Sequence, residues 1–217
     1  MACSGETQGN HAGLMDDIYR YQRRIYDISR KYYLLGRDRL IMQMEPAEGA
    51  HILEIACGTG RNLDCISRRY PGRSLYGLDI SEQMLATARG KLGVRTELAQ
   101  GDACAFDATS LFGRDGFDHI VMSYSLSMIP DWQGALREAL RHLAPGGTLH
   151  IVDFGDQARL PKGFRLLLLA WLATFHVTPR EALAETLETL SLSLPVNIEH
   201  ASLFRNYAQI ARIHLRL

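Results

Sequence analysis

Apolar side chains at Ile18, Tyr21, Ile25, Ile28, Tyr32 and Leu35 recur at alternating three- and four-residue steps, the spacing of one helix face. The opposite face carries Arg20, Arg23, Arg24, Arg30 and Lys31, so residues 18–35 read as a basic amphipathic helix. A second helix is predicted over about 36–44, ending near Pro46. From residue 51 the rhythm changes. Short apolar runs at 51–56 (HILEIA), 75–79 (LYGLD), 118–124 (DHIVMSY) and 148–154 (TLHIVDF) read as buried strands, with a weaker one at 96–100. Helical segments lie between them, at about 61–69, after Ser81 as N-cap, and at 132–142, the last ended by Pro145-Gly146-Gly147. Strands alternating with helices predict parallel βαβ units, right-handed crossovers and a sheet covered on both faces. The last third departs from this plan. It holds an apolar run at 164–175 (FRLLLLAWLATF), an acidic helix around 179–192, and strand-like runs near 196–203 and 208–215 separated by Arg205-Asn206.

Composition narrows the picture without deciding it. The 217 residues are 47% apolar and 22% charged, as in an ordinary globular domain, with no repeat or second domain in the pattern. Formal net charge is zero, which leaves no global field for nucleic acid; attraction to an anionic surface must come from local patches. Cys3, Cys57, Cys65 and Cys104 form no C-x-x-C pair and no metal-ligand pattern, so reduced thiols and no metal are expected. Residues 1–13 are polar and are expected to be a disordered leader, followed by one domain over 14–217. The apolar run of twelve residues is shorter than the ~20 that a bilayer span needs. It is expected either as a buried core helix or, with Arg159, Lys162 and Arg165 beside it, as a lid (158–192) resting on a membrane.

Candidate chemistry sits at successive strand ends. Residues 54–60, Glu54-Ile55-Ala56-Cys57-Gly58-Thr59-Gly60, close the first strand and open the first helix, where free N–H groups meet a ligand. Alone, so sparse a glycine turn is weak evidence, and dehydrogenases share its logic. Asp79 then ends the second strand about twenty residues on, placed to accept from ribose hydroxyls, and Gly101-Asp102-Ala103 follows the third, placed to read an adenine edge.

This ordered set resembles the class I S-adenosylmethionine-dependent methyltransferases. The resemblance implies an α/β, Rossmann-like doubly wound, mostly parallel seven-stranded sheet with a C-terminal antiparallel hairpin and an N-terminal helical cap over 14–46. It implies S-adenosylmethionine as cofactor and S-adenosylhomocysteine as product. Glu54, Ala56, Cys57 and Gly58 would then contact the methionine moiety, Asp79 the ribose, Ile80 and Met84 the adenine faces, Asp102 and Ala103 its edge, and Ser123 the sulfonium region. That family more often has Gly where Ala56 stands. Arg37 is a candidate for the cofactor carboxylate or, equally, a solvated surface residue.

A sharper resemblance runs over nearly the whole chain after the leader. Ile18-Tyr19-Arg20, Arg24-Ile25-Tyr26-Asp27, the run from Arg30 through Tyr33 to Leu40, Asn62, Ser125-Leu126-Ser127-Met128-Ile129, the HIVDFGDQ run at 150–157 and Phe175-His176-Val177-Thr178-Pro179-Arg180 look like the bacterial diacylglycerylhomoserine N-methyltransferases. That family trimethylates the homoserine amine of a glycerolipid to make a betaine lipid. It implies a glycerolipid substrate, an anionic membrane surface as partner, and a peripheral place on the cytoplasmic face of the inner membrane. The residues allow this chemistry, since methyl transfer to an amine is an in-line displacement that needs alignment and a dry pocket. Aromatic walls suit the growing cation, and Tyr124, Tyr33 and Tyr26 are the candidates, while Tyr21 and Tyr32 fall on the apolar stripe. Phosphatidylethanolamine or quinone methylation is the alternative reading, and a non-catalytic cofactor-binding membrane scaffold is the alternative from another class.

Overall fold

The computed structural model describes residues 34–216. The expected leader, most of the basic helix at 18–35, and both Tyr26 and Tyr33 lie outside the described residues. In chain order the elements are α1 (Arg37–Met42), β1 (His51–Ile55), α2 (Arg61–Arg69), β2 (Ser74–Asp79), α3 (Glu82–Leu92), a 3-10 turn at Gly93–Arg95, β3 (Thr96–Gln100), α4 (Ala108–Phe112), β4 (Phe117–Ser123), α5 (Trp132–Arg141), β5 (Leu143–Phe154), α6 (Lys162–Ala173), α7 (Leu183–Ser193), β6 (Val196–Leu203) and β7 (Ala208–Leu215).

The strands form one seven-stranded sheet in the order β3-β2-β1-β4-β5-β7-β6. The first five are parallel, with Leu53 level with Tyr76 of β2 and Ile120 of β4. β7 returns antiparallel to β5 and pairs with β6 as a hairpin, as expected. The chain therefore reverses its strand order between β1 and β4, the switch point where an open α/β sheet leaves a crevice beyond its strand ends.

Alternation along each strand sends neighbours to opposite faces. Leu53, Ile55, Ile120, Met122 and Ile151 face α4, α5 and α7, joining Phe112, Leu136 and Leu183 in one apolar core. Ile52, Val121 and Val152 face α1, α2, α3 and α6 and meet Ile41, Ile66, Leu85 and Leu172 in the other. Burying a side chain of this size contributes about 1.5–3 kcal/mol, so these two layers fix the strand ends in space. Ser81 caps α3 as expected, accepting from the Met84 amide at 3.4 Å.

Three elements depart from the sequence reading. α4 was not visible there: five residues are too few for a periodic stripe, and the helix forms because Asp107 accepts from the amides of Thr109 and Ser110. Strand five begins at Leu143, not Thr148, because residues 144–147 remain in the strand through a register shift between Phe117 and His119, with Gly146 left-handed (φ 75). The Pro145-Gly146-Gly147 turn is thus a bulge within the strand. α6 is neither wholly core nor wholly lid: Leu168 and Leu172 are buried while Phe164, Leu166 and Leu167 are 52%, 67% and 73% exposed.

Candidate cofactor and acceptor site

The loop 56–60 carries the chain from β1 into α2, and three of its five residues are left-handed, Ala56 (φ 57), Gly58 (φ 55) and Gly60 (φ 72). Gly60 is required twice over. Besides its backbone angle, a Cβ there would lie 2.6 Å from Leu92 Cδ1 and 3.1 Å from Ala88 Cβ, so glycine lets α2 start hard against α3. The loop is pinned to β2 by the Cys57 amide, which donates to the Leu78 carbonyl at 3.0 Å.

Asp79 closes the arrangement. Its Oδ2 accepts from the Gly58 amide at 2.7 Å and its Oδ1 from the Ser81 amide at 2.9 Å. The carboxylate is buried and oriented by these two bonds. On the far side of the loop Asn62 Nδ2 donates to Glu54 Oε1 at 2.7 Å between two buried side chains. Between these pairs lies a cavity of about 220 Å³ bordered by Arg37, Glu54, residues 56–59, Arg61, Asn62, Lys91 and Ser123.

Its electrostatics suit a zwitterion. Arg37, Arg61 and Lys91 supply positive charge against Glu54, with Arg61 also paired to Asp38 at 3.0 Å. Arg37 is not a solvated surface residue: it is buried, and its Nε donates to the Leu34 carbonyl at 3.2 Å. Burial pushes the Cys57 thiol well up, with Asp79 and Glu54 adding to the shift, so this cysteine stays protonated and inert at neutral pH. The group that fits has an amino-acid end in this cavity, a diol at Asp79 and an aromatic ring beyond. At that far edge Ile80 is 44% exposed and Met84 is buried. The neighbouring turn is shaped by Asp102 Oδ1, which accepts from the Cys104 amide at 2.9 Å beside Ala103. Of the residues read from the sequence, Glu54, Ala56, Cys57, Gly58, Asp79, Ile80, Asp102, Ala103 and Ser123 stand at or just past the carboxyl ends of β1 to β4, Met84 lies in the first turn of α3, and Arg37 borders the cavity from α1.

Tyr124 is placed differently from the expectation. It is buried in the α1/α6-side core, its ring edge-on to Phe154 at 4.7 Å and its hydroxyl donating to the Leu35 carbonyl. It does not border the cavity; it fastens the segment before α1 to the end of β4. The backbone there is left-handed (φ 55), which turns Ser125 onward across the strand ends.

Sequence reasoning assigned no role to the groups that organise this turn. Asp153 is fully buried and accepts from the Ser127 amide at 3.0 Å and the Phe154 amide at 2.7 Å. Burial raises its carboxyl to about 6, opposed by the hydrogen bonds from Ser127 and Phe154 and by the Arg180 charge. Arg180 in turn donates to the carbonyls of Leu126 at 2.8 Å and Ile129 at 2.7 Å. Together they hold residues 125–129 over the crevice. Their only trace in the sequence was two charged positions inside quoted motifs.

The chain is similar to known proteins. Residues 52–147 match the family model described as a methyltransferase domain. The ubiquinone/menaquinone biosynthesis C-methyltransferase UbiE of Roseobacter denitrificans is 30% identical over 185 residues, covering 80% of this chain and 70% of that protein. The demethylmenaquinone methyltransferase of Lactococcus lactis is 34% identical over 131 residues, 58% of this chain and half the length of that relative. Among solved structures, the plantazolicin methyltransferase BpumL, in complex with a triazolic substrate analogue and S-adenosylhomocysteine, superposes with a TM-score of 0.72 at 14% identity, covering 94% of this chain and 93% of that one.

Proposed function

The chain belongs to the class I S-adenosylmethionine-dependent methyltransferases, and we propose that it moves methyl groups from that cofactor to the homoserine amine of diacylglycerylhomoserine, three times over. The single observation that carries methyl transfer is the Gly58–Asp79 clasp beside the cavity that Glu54 and Asn62 wall. The cofactor supplies an electrophilic methyl group. The chain's own residues orient it: Arg37 and the 56–60 loop hold the amino-acid end, Asp79 the ribose, and Ile80, Met84, Asp102 and Ala103 the adenine. Ser123 stands at the cavity wall, where β4 ends.

Two features support the amine and lipid assignment. The resemblance of residues 34–40, 125–129, 150–157 and 175–180 to the homoserine-lipid enzymes is the first. The second is α6, where exposed Phe164, Leu166 and Leu167 adjoin the exposed cations Arg159 and Lys162. That is the composition of a helix that docks on an anionic bilayer. No helix of the described residues is long and apolar enough to cross a membrane.

Quinone methylation is the second reading, and the curated relatives favour it, since the matches above are quinone methyltransferases by name. Mass spectrometry of vesicle lipids after incubation with labelled S-adenosylmethionine separates the two. A gain of three methyl groups on diacylglycerylhomoserine is expected. Gain on a demethylated quinone alone would keep the cofactor chemistry and replace the acceptor. Cofactor binding without transfer to either would favour a non-catalytic scaffold.

A further inference from the structure

Three non-glycine residues in the left-handed region follow the ends of the three central strands. Ala56 comes directly after β1, Tyr124 directly after β4, and Gln157 three residues after β5. Backbone held in this region persists where the surroundings over-determine it, and it clusters at functional sites. Ala56 belongs to the cofactor loop and Tyr124 redirects the chain beyond β4. Gln157 has no such task so far.

Its backbone is fixed on both sides. The Gln157 amide donates to the Asn206 carbonyl at 2.8 Å, and its carbonyl accepts from the Leu160 amide at 3.1 Å. The side chain is wholly buried, yet neither Oε1 nor Nε2 has a hydrogen-bond partner among the described residues. The hydroxyls of Ser123 and Ser125, at the end of the neighbouring strand, are likewise buried and unbonded among the described residues. β4 and β5 are adjacent, with Ser123 level with Val152 and the Tyr124 amide bonded to the Val152 carbonyl at 2.7 Å. Ser123 borders the cofactor cavity, and Ser125 and Gln157 lie past the ends of the same two adjacent strands. A buried amide without partners costs stability, and a chain that keeps one has a partner for it in another state.

We infer that Gln157, with Ser125, forms the subsite for the polar head of the methyl acceptor, an amino-acid head that carries both an ammonium and a carboxylate. A carboxamide is matched to that pair: its NH2 donates to a carboxylate oxygen and its carbonyl accepts from an N–H. The serine hydroxyl supplies either role. The match also changes as the reaction proceeds. A primary ammonium has three N–H donors, a dimethylated one keeps a single N–H that it sheds before attacking the third methyl, and the trimethylated product has none, so nothing renews the bond to Gln157 Oε1 and the product is released. Gln157 is then a specificity residue, and no covalent step passes through it.

The inference rests on the acceptor being an amine-bearing lipid head, and its test keeps the two apart. Gln157→Met and Ser125→Ala are assayed on vesicles holding diacylglycerylhomoserine, with cofactor titration and thermal melting alongside. For Gln157→Met a rise in acceptor KM of about tenfold or more is expected, with kcat within about threefold and cofactor Kd unchanged. Its Tm should hold or rise, because an unpaired buried amide has gone; a merely structural glutamine predicts a fall. Ser125→Ala should raise KM by about threefold or more in the same pattern. Wild-type activity on this lipid with KM unchanged in both variants, or lower Tm as the only effect, would overturn the subsite and leave the acceptor standing. A wild type inactive on this lipid would overturn the acceptor reading and the inference with it.

Discussion

In the proposed site Asp79 would couple the ligand to the loop that receives it, because the carboxylate assigned to the ribose also holds the Gly58 and Ser81 amides. Asp79→Ala is expected to raise the S-adenosylmethionine Kd by about tenfold or more, or ~1.4 kcal/mol, in a binding titration. Asp153, which holds the turn after β4, gives a pH signature. Its folded value of about 6 lies above the ordinary 3.8, so its contribution to stability is complete below pH 3.8 and is lost as pH rises through 6. Denaturant unfolding should show wild type losing roughly 2–3 kcal/mol relative to Asp153→Asn across that window. A constant difference between the two would contradict the buried carboxyl. At this scale the glycine and acids of the strand ends, Gly58, Asp79 and Asp102, were legible in the sequence, since each stands at a fixed distance from a strand end. Gln157 was not, because burial without a partner is a property of the fold, and no residue type announces it. Tyr124 was read as a pocket wall because it follows β4; the left-handed backbone at that residue sends the ring into the core instead.

Helices here are held by caps and by one apolar face each. Asp131 begins α5 by accepting from the Gly134 amide at 2.9 Å, and a Cβ at Gly134 would lie 2.2 Å from Asp131 Oδ2. Asp131→Ala should therefore cost ~1 kcal/mol of stability in a denaturant melt. α6 is the element where function and packing divide. Leu168 and Leu172 anchor it, whereas Leu166 and Leu167 touch little. The double variant Leu166→Glu, Leu167→Glu is expected to leave Tm within a few degrees while weakening sedimentation with anionic vesicles by about tenfold or more. Unaltered sedimentation would remove α6 from membrane docking. α2, β6 and β7 stand where the hydrophobic pattern set them, and so does β3, whose pattern was the weaker one. α4 and the first residues of β5 were missed because a side-chain cap makes one and a bulge opposite β4 the other, and neither leaves a period in the sequence.

At the scale of the molecule, doubly wound topology explains why so much of the site could be read before the fold was known. Parallel strands bring every strand-to-helix loop to one edge, so glycines and acids far apart in sequence meet there. What the topology leaves open is the acceptor, since the same edge serves lipid heads and quinone rings alike. The proposed acceptor side depends instead on Asp153, the penultimate residue of β5, and on Gln157 and Arg180 in the segments that follow β5 and α6. The measurement that decides it is a competition. Vesicles carrying diacylglycerylhomoserine and a demethylated quinone at equal mole fraction are incubated with the protein and labelled S-adenosylmethionine, and label is counted in each lipid. The account predicts label in mono-, di- and trimethylated homoserine lipid and at most background in the quinone. Label concentrated in the quinone would contradict it.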